Sequence, residues 1–269
     1  MAKLCLLEKI IKIALLVFFL IWIIALTQKD QLPGKSQILS PLFEEPIQTK
    51  TQTKPFSLVT ADGEAFDVRP VFDYELKGLI VSYHHSSSWM DLAHRRWKDY
   101  LNLKDICLIY GENISSEIYK RMKFSNRDWS CWTSFSGSNE EQWEQSRQFN
   151  EHYLSNNHIL AKVPILIKKI LSAEKGDQIY FKGHLVNYAK RRNSLEPQYF
   201  RNSSVTRNDQ GNGACEVIYV TDFKILKKAN VLWRASHIFS GWMIFILIVS
   251  FFAVNFYEDI QFSRGRSTS

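Results

Sequence analysis

The stretch VPILIKKILSAEKGDQIYFKGHLVNY, Val163 to Tyr188, switches its hydrophobic period partway along. PILIKKILSA reads as a helix, with Pro164 at the first position, where its missing N–H is not needed and its fixed φ suits the turn. Past the pair Gly176-Asp177 the pattern becomes an alternation. Ile179, Phe181 and Leu185 fall on one parity and Tyr180, Val186 and Tyr188 on the other, which predicts a strand that Gly183 lets bend.

Further strands are predicted on both sides. Val71 to His84 (VFDYELKGLIVSYH) reads as a long strand bent at Gly78, Asp105 to Tyr110 (DICLIY) as a short buried one, and Cys215 to Leu226 (CEVIYVTDFKIL) as a last one after the turn-rich NDQGNG. Ser138 followed by Glu141 is a capping-box pattern, predicting a helix that runs through Leu154 and stops at Ser155-Asn156-Asn157. The fold class expected is α+β, a small strongly curved sheet or partial OB-like barrel with packed helices. The run from Val163 to Val186 resembles OB-type barrels, in which a helix leads to a Gly-Asp turn and a bent strand. That resemblance covers this run alone.

The two ends of the chain are apolar. Ile13 to Leu26 (IALLVFFLIWIIAL) forms the core of a first span, its helix starting near residue 4, and His237 to Tyr257 (HIFSGWMIFILIVSFFAVNFY) forms a second. About 20 apolar residues cross a hydrocarbon core of about 30 Å. A signal peptide fits the short first run less well, because ALTQKDQLPG offers no A-x-A-like cleavage site and the core is bulky. The organisation expected is therefore a cytoplasmic tail (1–12), a first anchor (13–26), a Pro-containing linker (27–55), an α+β extramembrane domain (56–226), a juxtamembrane segment (227–236), a second anchor (237–257) and a cytoplasmic tail (258–269). Basic residues near the spans balance, so orientation rests on the first span, whose leading Lys3, Lys9 and Lys12 place the large loop outside the cytoplasm, in a bacterial inner membrane.

The net charge of +7 is spread over short clusters such as RRWK at 95–98 and KRR at 190–192. A nucleic-acid binder concentrates its charge in a stripe. The partners expected are the bilayer and other membrane or envelope proteins. Four cysteines include Cys5 at the membrane edge; Cys107, Cys131 and Cys215 in the loop domain allow one disulfide of unassigned pairing.

Two segments carry candidate chemistry. In YHHSSSWMDLAH (Tyr83 to His94), Ser88 and Asp91 read as the cap of a helix from Trp89 to about Tyr100, and His94 lies on the side of Asp91. His84 and His85 point to opposite faces of a strand, so at most one joins His94. His84, Asp91 and His94 are the catalytic candidates; with Asp91 assigned to the cap, neither a metal nor a cofactor is expected. The loop RNSSVTRNDQGNGACE holds Arg201, Ser203, Ser204, Arg207 and Asp209, a candidate anion-binding surface. His158 and His184 read as structural histidines. The function expected is a non-enzymatic, extracytoplasmic binding or assembly module of an envelope complex. The alternatives are a membrane-tethered hydrolase, nuclease-like or phosphoesterase, on a small β-barrel, and a cytoplasm-facing nucleic-acid-binding domain.

Overall fold

The computed structural model describes residues 2–60, 63–88, 101–127, 130–191, 201–206 and 215–266, together with Asp91, His94, Arg96 and Asp99. The chain forms two compact units, one from its two ends (Met1–Gln31 with Asn230–Ser269) and one from Leu32–Ala229.

The terminal unit pairs helix α1 (Ala2–Gln28) with the last helix (Val231–Arg266). Leu6–Gln28 and Val231–Tyr257 are long and apolar enough to cross a membrane. The core helix of a water-soluble protein is mostly buried, whereas these windows are 11% and 6% buried and turn rows of Leu, Ile and Phe outward. The two helices run antiparallel. Trp22 stacks on His237 with ring centroids 5.2 Å apart, Phe18 meets Phe239 edge-on at 6.0 Å, and Lys12 lies over the Phe251 ring. Ala25 and Ser240 are fully buried, small side chains that let the helices approach. The Ser240 hydroxyl donates to the Ser236 carbonyl at 2.6 Å, so it brings no unmet donor into an apolar setting. The last helix starts at Val231, inside the segment expected to be juxtamembrane.

The second unit is α+β. Its strands are β1 (Ile47–Lys50), β2 (Phe56–Val59), β3 (Ala65–His85), β4 (Asn102–Ile109), β5 (Met122–Arg127), β6 (Ser130–Phe135), β7 (Leu154–Leu160), β8 (Gln178–Lys190) and β9 (Cys215–Lys227). Among the described residues its helices are α2 (Glu112–Ser115), α3 (Asn139–Gln148) and α4 (Pro164–Ser172), and the last helix is numbered α5. The main sheet runs β3-β4-β7-β9-β8, and β8 pairs back onto β3, so the ladders make a ring. Within it β7 and β9 are parallel and the other pairs antiparallel. β1 and β2 flank β3, and β5–β6 is a separate hairpin. Ile80, Ile106, Leu108, Ile159, Phe181 and Ile218 fill one core, which α4 closes with Leu166 and Ile170.

Local chemistry explains several elements. Val163 precedes α4 and Pro164 occupies its first turn, as the sequence predicts. The far end of α4 is closed by Lys104, fully buried, whose ammonium donates to the Ala173 carbonyl and lies 3.9 Å from the Tyr83 ring centroid. Gly183 sits where β8 shifts register against β9; a Cβ there would lie 2.1 Å from the Tyr219 carbonyl oxygen. The glycine is required by that close approach as well as by the bend.

Three expectations change. The capping box of α3 forms, with Glu141 accepting from the Ser138 amide at 2.8 Å, but the helix ends at Gln148. Ser155-Asn156-Asn157, expected to stop it, lies inside β7, between β4 and β9, where each of the three polar side chains makes at least one hydrogen bond. The segment from Leu32 to Lys50, expected within a linker, belongs to the folded unit: Leu42 is fully buried beside Leu79 and Ile109, and β1 pairs with β3. Most of the helix expected at 89–100 lies outside the described residues.

Candidate functional site

Strand register assembles the site. His84 pairs with Asp105 across β3–β4, and Asp105 with His158 across β4–β7, so the three form one row on one face of the sheet. The next row is Cys107, Asn156 and Cys215. This face is opposite to the Ile106 and Ile159 side chains that fill the core.

Along the first row His158 Nδ1 lies 2.6 Å from Asp105 Oδ1, and Cys215 stands in the next row on the same face, where its side chain helps to raise the His158 pKa. Asn156 Nδ2 points at the Cys215 sulfur from 3.1 Å. Asp105 and His158 are both 1% exposed, whereas Cys215 is only partly covered. Burial disfavours the His158 charge and Arg201 adds to that, but the Asp105 carboxylate outweighs both and lifts the imidazole to about 9. Burial likewise opposes ionisation of Asp105, yet His158, with lesser help from His94 and Asn102, pulls its carboxyl down to about 2.

A second cluster adjoins the first. Asp91 Oδ2 lies 2.7 Å from His84 Nε2 and 2.6 Å from His94 Nδ1, while Asp91 Oδ1 accepts from the His94 amide at 2.8 Å. The cap expected of Asp91 is thus made forward, onto the amide three residues on. Burial raises the Asp91 carboxyl, but the His94 amide and the two imidazoles hold it below the usual carboxylate range. Asn102 links the clusters: its Nδ2 is 2.8 Å from His94 Nε2 and 2.6 Å from Asp105 Oδ1. A third group fixes the neighbouring loop, with the Tyr188 hydroxyl donating to both oxygens of buried Asp99 at 2.9 and 2.8 Å and Arg201 Nε 3.4 Å from Asp99 Oδ2.

His84, Asp91 and His94 therefore come together, and His85 does not join them; it stands beside the Tyr83 ring. Arg201, Ser203 and Ser204 make internal contacts: Arg201 pairs with Asp99, the Ser203 hydroxyl accepts from the Val217 amide at 3.1 Å, and the Ser204 hydroxyl donates to the Thr206 carbonyl at 2.8 Å. Arg207 and Asp209 lie outside the described residues. Cys107 and Cys131 form the disulfide, with Cα atoms 5.8 Å apart, and Cys215 takes no part in it.

Asp105, His158 and Cys215 are not recognisable as a set in the sequence, because each looks ordinary alone. The available signal is the charge set in apolar strand runs, Asp105 before ICLIY and His158 before IL, since a charge in such a run needs a partner. No protein-family model, curated protein or solved structure matches the chain.

Proposed function

We propose that this chain is a membrane-anchored enzyme in which Cys215 performs acyl transfer or hydrolysis outside the cytoplasm. The observation that carries the reading is that strand register sets the buried Asp105–His158 pair, 2.6 Å apart, on the same face as the partly exposed Cys215 in the next row. A buried carboxylate that fixes one imidazole nitrogen leaves the other available to a neighbouring thiol, the arrangement by which a weak nucleophile is activated. With its proton held on His158, the Cys215 sulfur attacks the carbonyl carbon of an acyl donor and a C–S bond forms. The leaving group departs with the proton from His158. Water, deprotonated by His158, then attacks the thioester, and the sulfur leaves as the acid is released. Asp105 remains ionised and offsets the imidazolium charge throughout.

The ring order supports a ligand-binding face here. The succession β3-β4-β7-β9-β8, with β7 parallel to β9 and α4 between β7 and β8, fits an OB-type barrel, in which strands two and three and the loops after strands one and four bind ligands. In this chain those strands carry Asp105 and His158, and those loops carry Asp91, His94 and Arg201. The two apolar helices support anchoring in a bilayer, as in a bacterial inner membrane. The Cys107–Cys131 disulfide supports the oxidising side. A second reading, a binding or assembly module for envelope proteins without chemistry, rests on the same face and becomes the account if the thiol is inert. The phosphoester version has less support, since Arg201 is engaged by Asp99.

The test uses the full-length protein in detergent with Cys5→Ser in the background. An ester such as p-nitrophenyl acetate should leave an acetyl group on Cys215, and His158→Gln should slow alkylation of Cys215 by iodoacetamide at least about tenfold. Loss of folding would speed alkylation, so a slower rate reports activation. Equal alkylation rates with no acyl adduct overturn the proposal.

A further inference from the structure

We propose that His84, Asp91 and His94 bind a divalent transition-metal ion of the zinc type, a site independent of the Cys215 chemistry. One donor atom from each, the two imidazole nitrogens and a carboxylate oxygen, all lie within 4.8 Å of one another. Three protein ligands with an open fourth position are the donor set of catalytic zinc, and imidazole with carboxylate suits the borderline ions. The two rings are nearly parallel, 21° between planes, and aim at the same oxygen. That oxygen is held in place because the other one, Oδ1, is occupied by the His94 amide.

Hydrogen bonds alone could explain this cluster, but they leave a residue of unmet need on the far side of His94. With Nδ1–H donating to Asp91, His94 Nε2 is the acceptor for the Asn102 side-chain amide. In that state two buried acceptors, Asn102 Oδ1 and Asp105 Oδ2, find no partner among the described residues, and Asp105 Oδ2 lies 4.0 Å from His94 Nε2. A buried polar atom without a partner in a native fold calls for an explanation, an unseen ion among them. A metal on Nδ1 moves the ring proton to Nε2. The new Nε2–H then has Asp105 Oδ2, or Asn102 Oδ1 after an amide flip, waiting as its acceptor. That is the carboxylate–histidine–metal arrangement that orients metal-binding imidazoles.

The adjustment required is small. Around a tetrahedral ion with bonds of about 2.0–2.1 Å, ligand atoms sit about 3.3 Å apart, so each imidazole must retreat from Asp91 by about 0.7 Å. His84 supplies the entrance: its side chain is 31% exposed, against 3% for Asp91 and His94. Each imidazole would bind the ion through one nitrogen and keep its proton on the other, with a water completing the coordination.

The experiment titrates untagged full-length protein, stripped with a chelator, with Co2+ followed by its visible absorption and with Zn2+ followed by bound-metal analysis. The expected result is about one equivalent, with affinity lowered at least about tenfold by His84→Ala and by Asp91→Asn. Cys215→Ser should leave metal binding unchanged, which separates this proposal from the thiol chemistry. A thermal melt of metal-free His84→Ala establishes that the variant is folded, its side chain being the most exposed of the three. Substoichiometric metal in the parent protein, or equal affinity in folded His84→Ala, overturns the site and assigns the cluster to hydrogen bonding alone.

Discussion

Removing the disulfide should cost a definite and measurable amount of stability. Cys107 and Cys131 are 24 residues apart in sequence, and closing a loop of that size removes about 3.5 kcal/mol of chain entropy from the unfolded state in the loop-entropy account. The folded unit from Leu32 to Ala229 has roughly 200 residues, with an unfolding entropy of about 0.4 kcal/mol per kelvin, so Tm should fall by about 8 °C. Cys131→Ser is the cleaner perturbation because Cys131 is only partly buried, whereas Cys107 lies fully buried beside Ile109 and Val81. The assay is a thermal melt of the full-length protein, parent against Cys131→Ser, with and without reductant. The reductant should lower the parent and leave the variant where it was. A drop below about 2 °C refutes the loop-entropy reasoning. Recovering both cysteines as thiols from membranes alkylated at lysis refutes the oxidising-side placement.

Three further outcomes are expected. Gly183→Ala should destabilise the folded unit by more than about 3 kcal/mol in denaturant melts, since its Cβ would meet the Tyr219 carbonyl oxygen at 2.1 Å and backbone must move; a near-neutral effect contradicts the β8–β9 register. Asp105 raises the folded-state pKa of His158 from 6.5 to about 9, so the pair's contribution to stability is complete below 6.5 and fades as pH climbs through 9. Urea melts from pH 6 to 10 should therefore show the parent losing stability relative to His158→Gln across that window, and a constant difference refutes the charged pair. Tyr188→Phe removes the hydroxyl that serves both oxygens of buried Asp99 and should cost about 2 kcal/mol, with retention of full stability showing that water takes its place.

The elements with strong local periods were legible in advance. Pro164 and the alternation after Gly176 placed α4 and β8, and the Ser138 box placed the start of α3, because each pattern is set by neighbours within a few residues. β7 was not legible. Leu154-Ser155-Asn156-Asn157 has the composition of a turn, and it becomes a strand because β4 and β9 flank it and supply partners for its polar side chains. Where Leu42 docks was hidden for a similar reason, since one leucine among prolines and charges carries no period. Of the candidate site, the His84, Asp91 and His94 group was readable because the three lie within eleven residues of chain.

By itself the sequence determined the two apolar ends and the local elements between them, since transfer of a side chain from water and the torsional preferences of a short segment depend on little beyond the segment. It could not pair Cys107 with Cys131, nor join Asp105, His158 and Cys215. Packing of the separate β5–β6 hairpin against the main sheet brings Cys131 to Cys107, and only the register of β4, β7 and β9 brings Asp105, His158 and Cys215 to neighbouring rows of one face. Register is a long-range property: it is fixed by which faces of several strands bury their apolar side chains together, a choice that no single stretch contains.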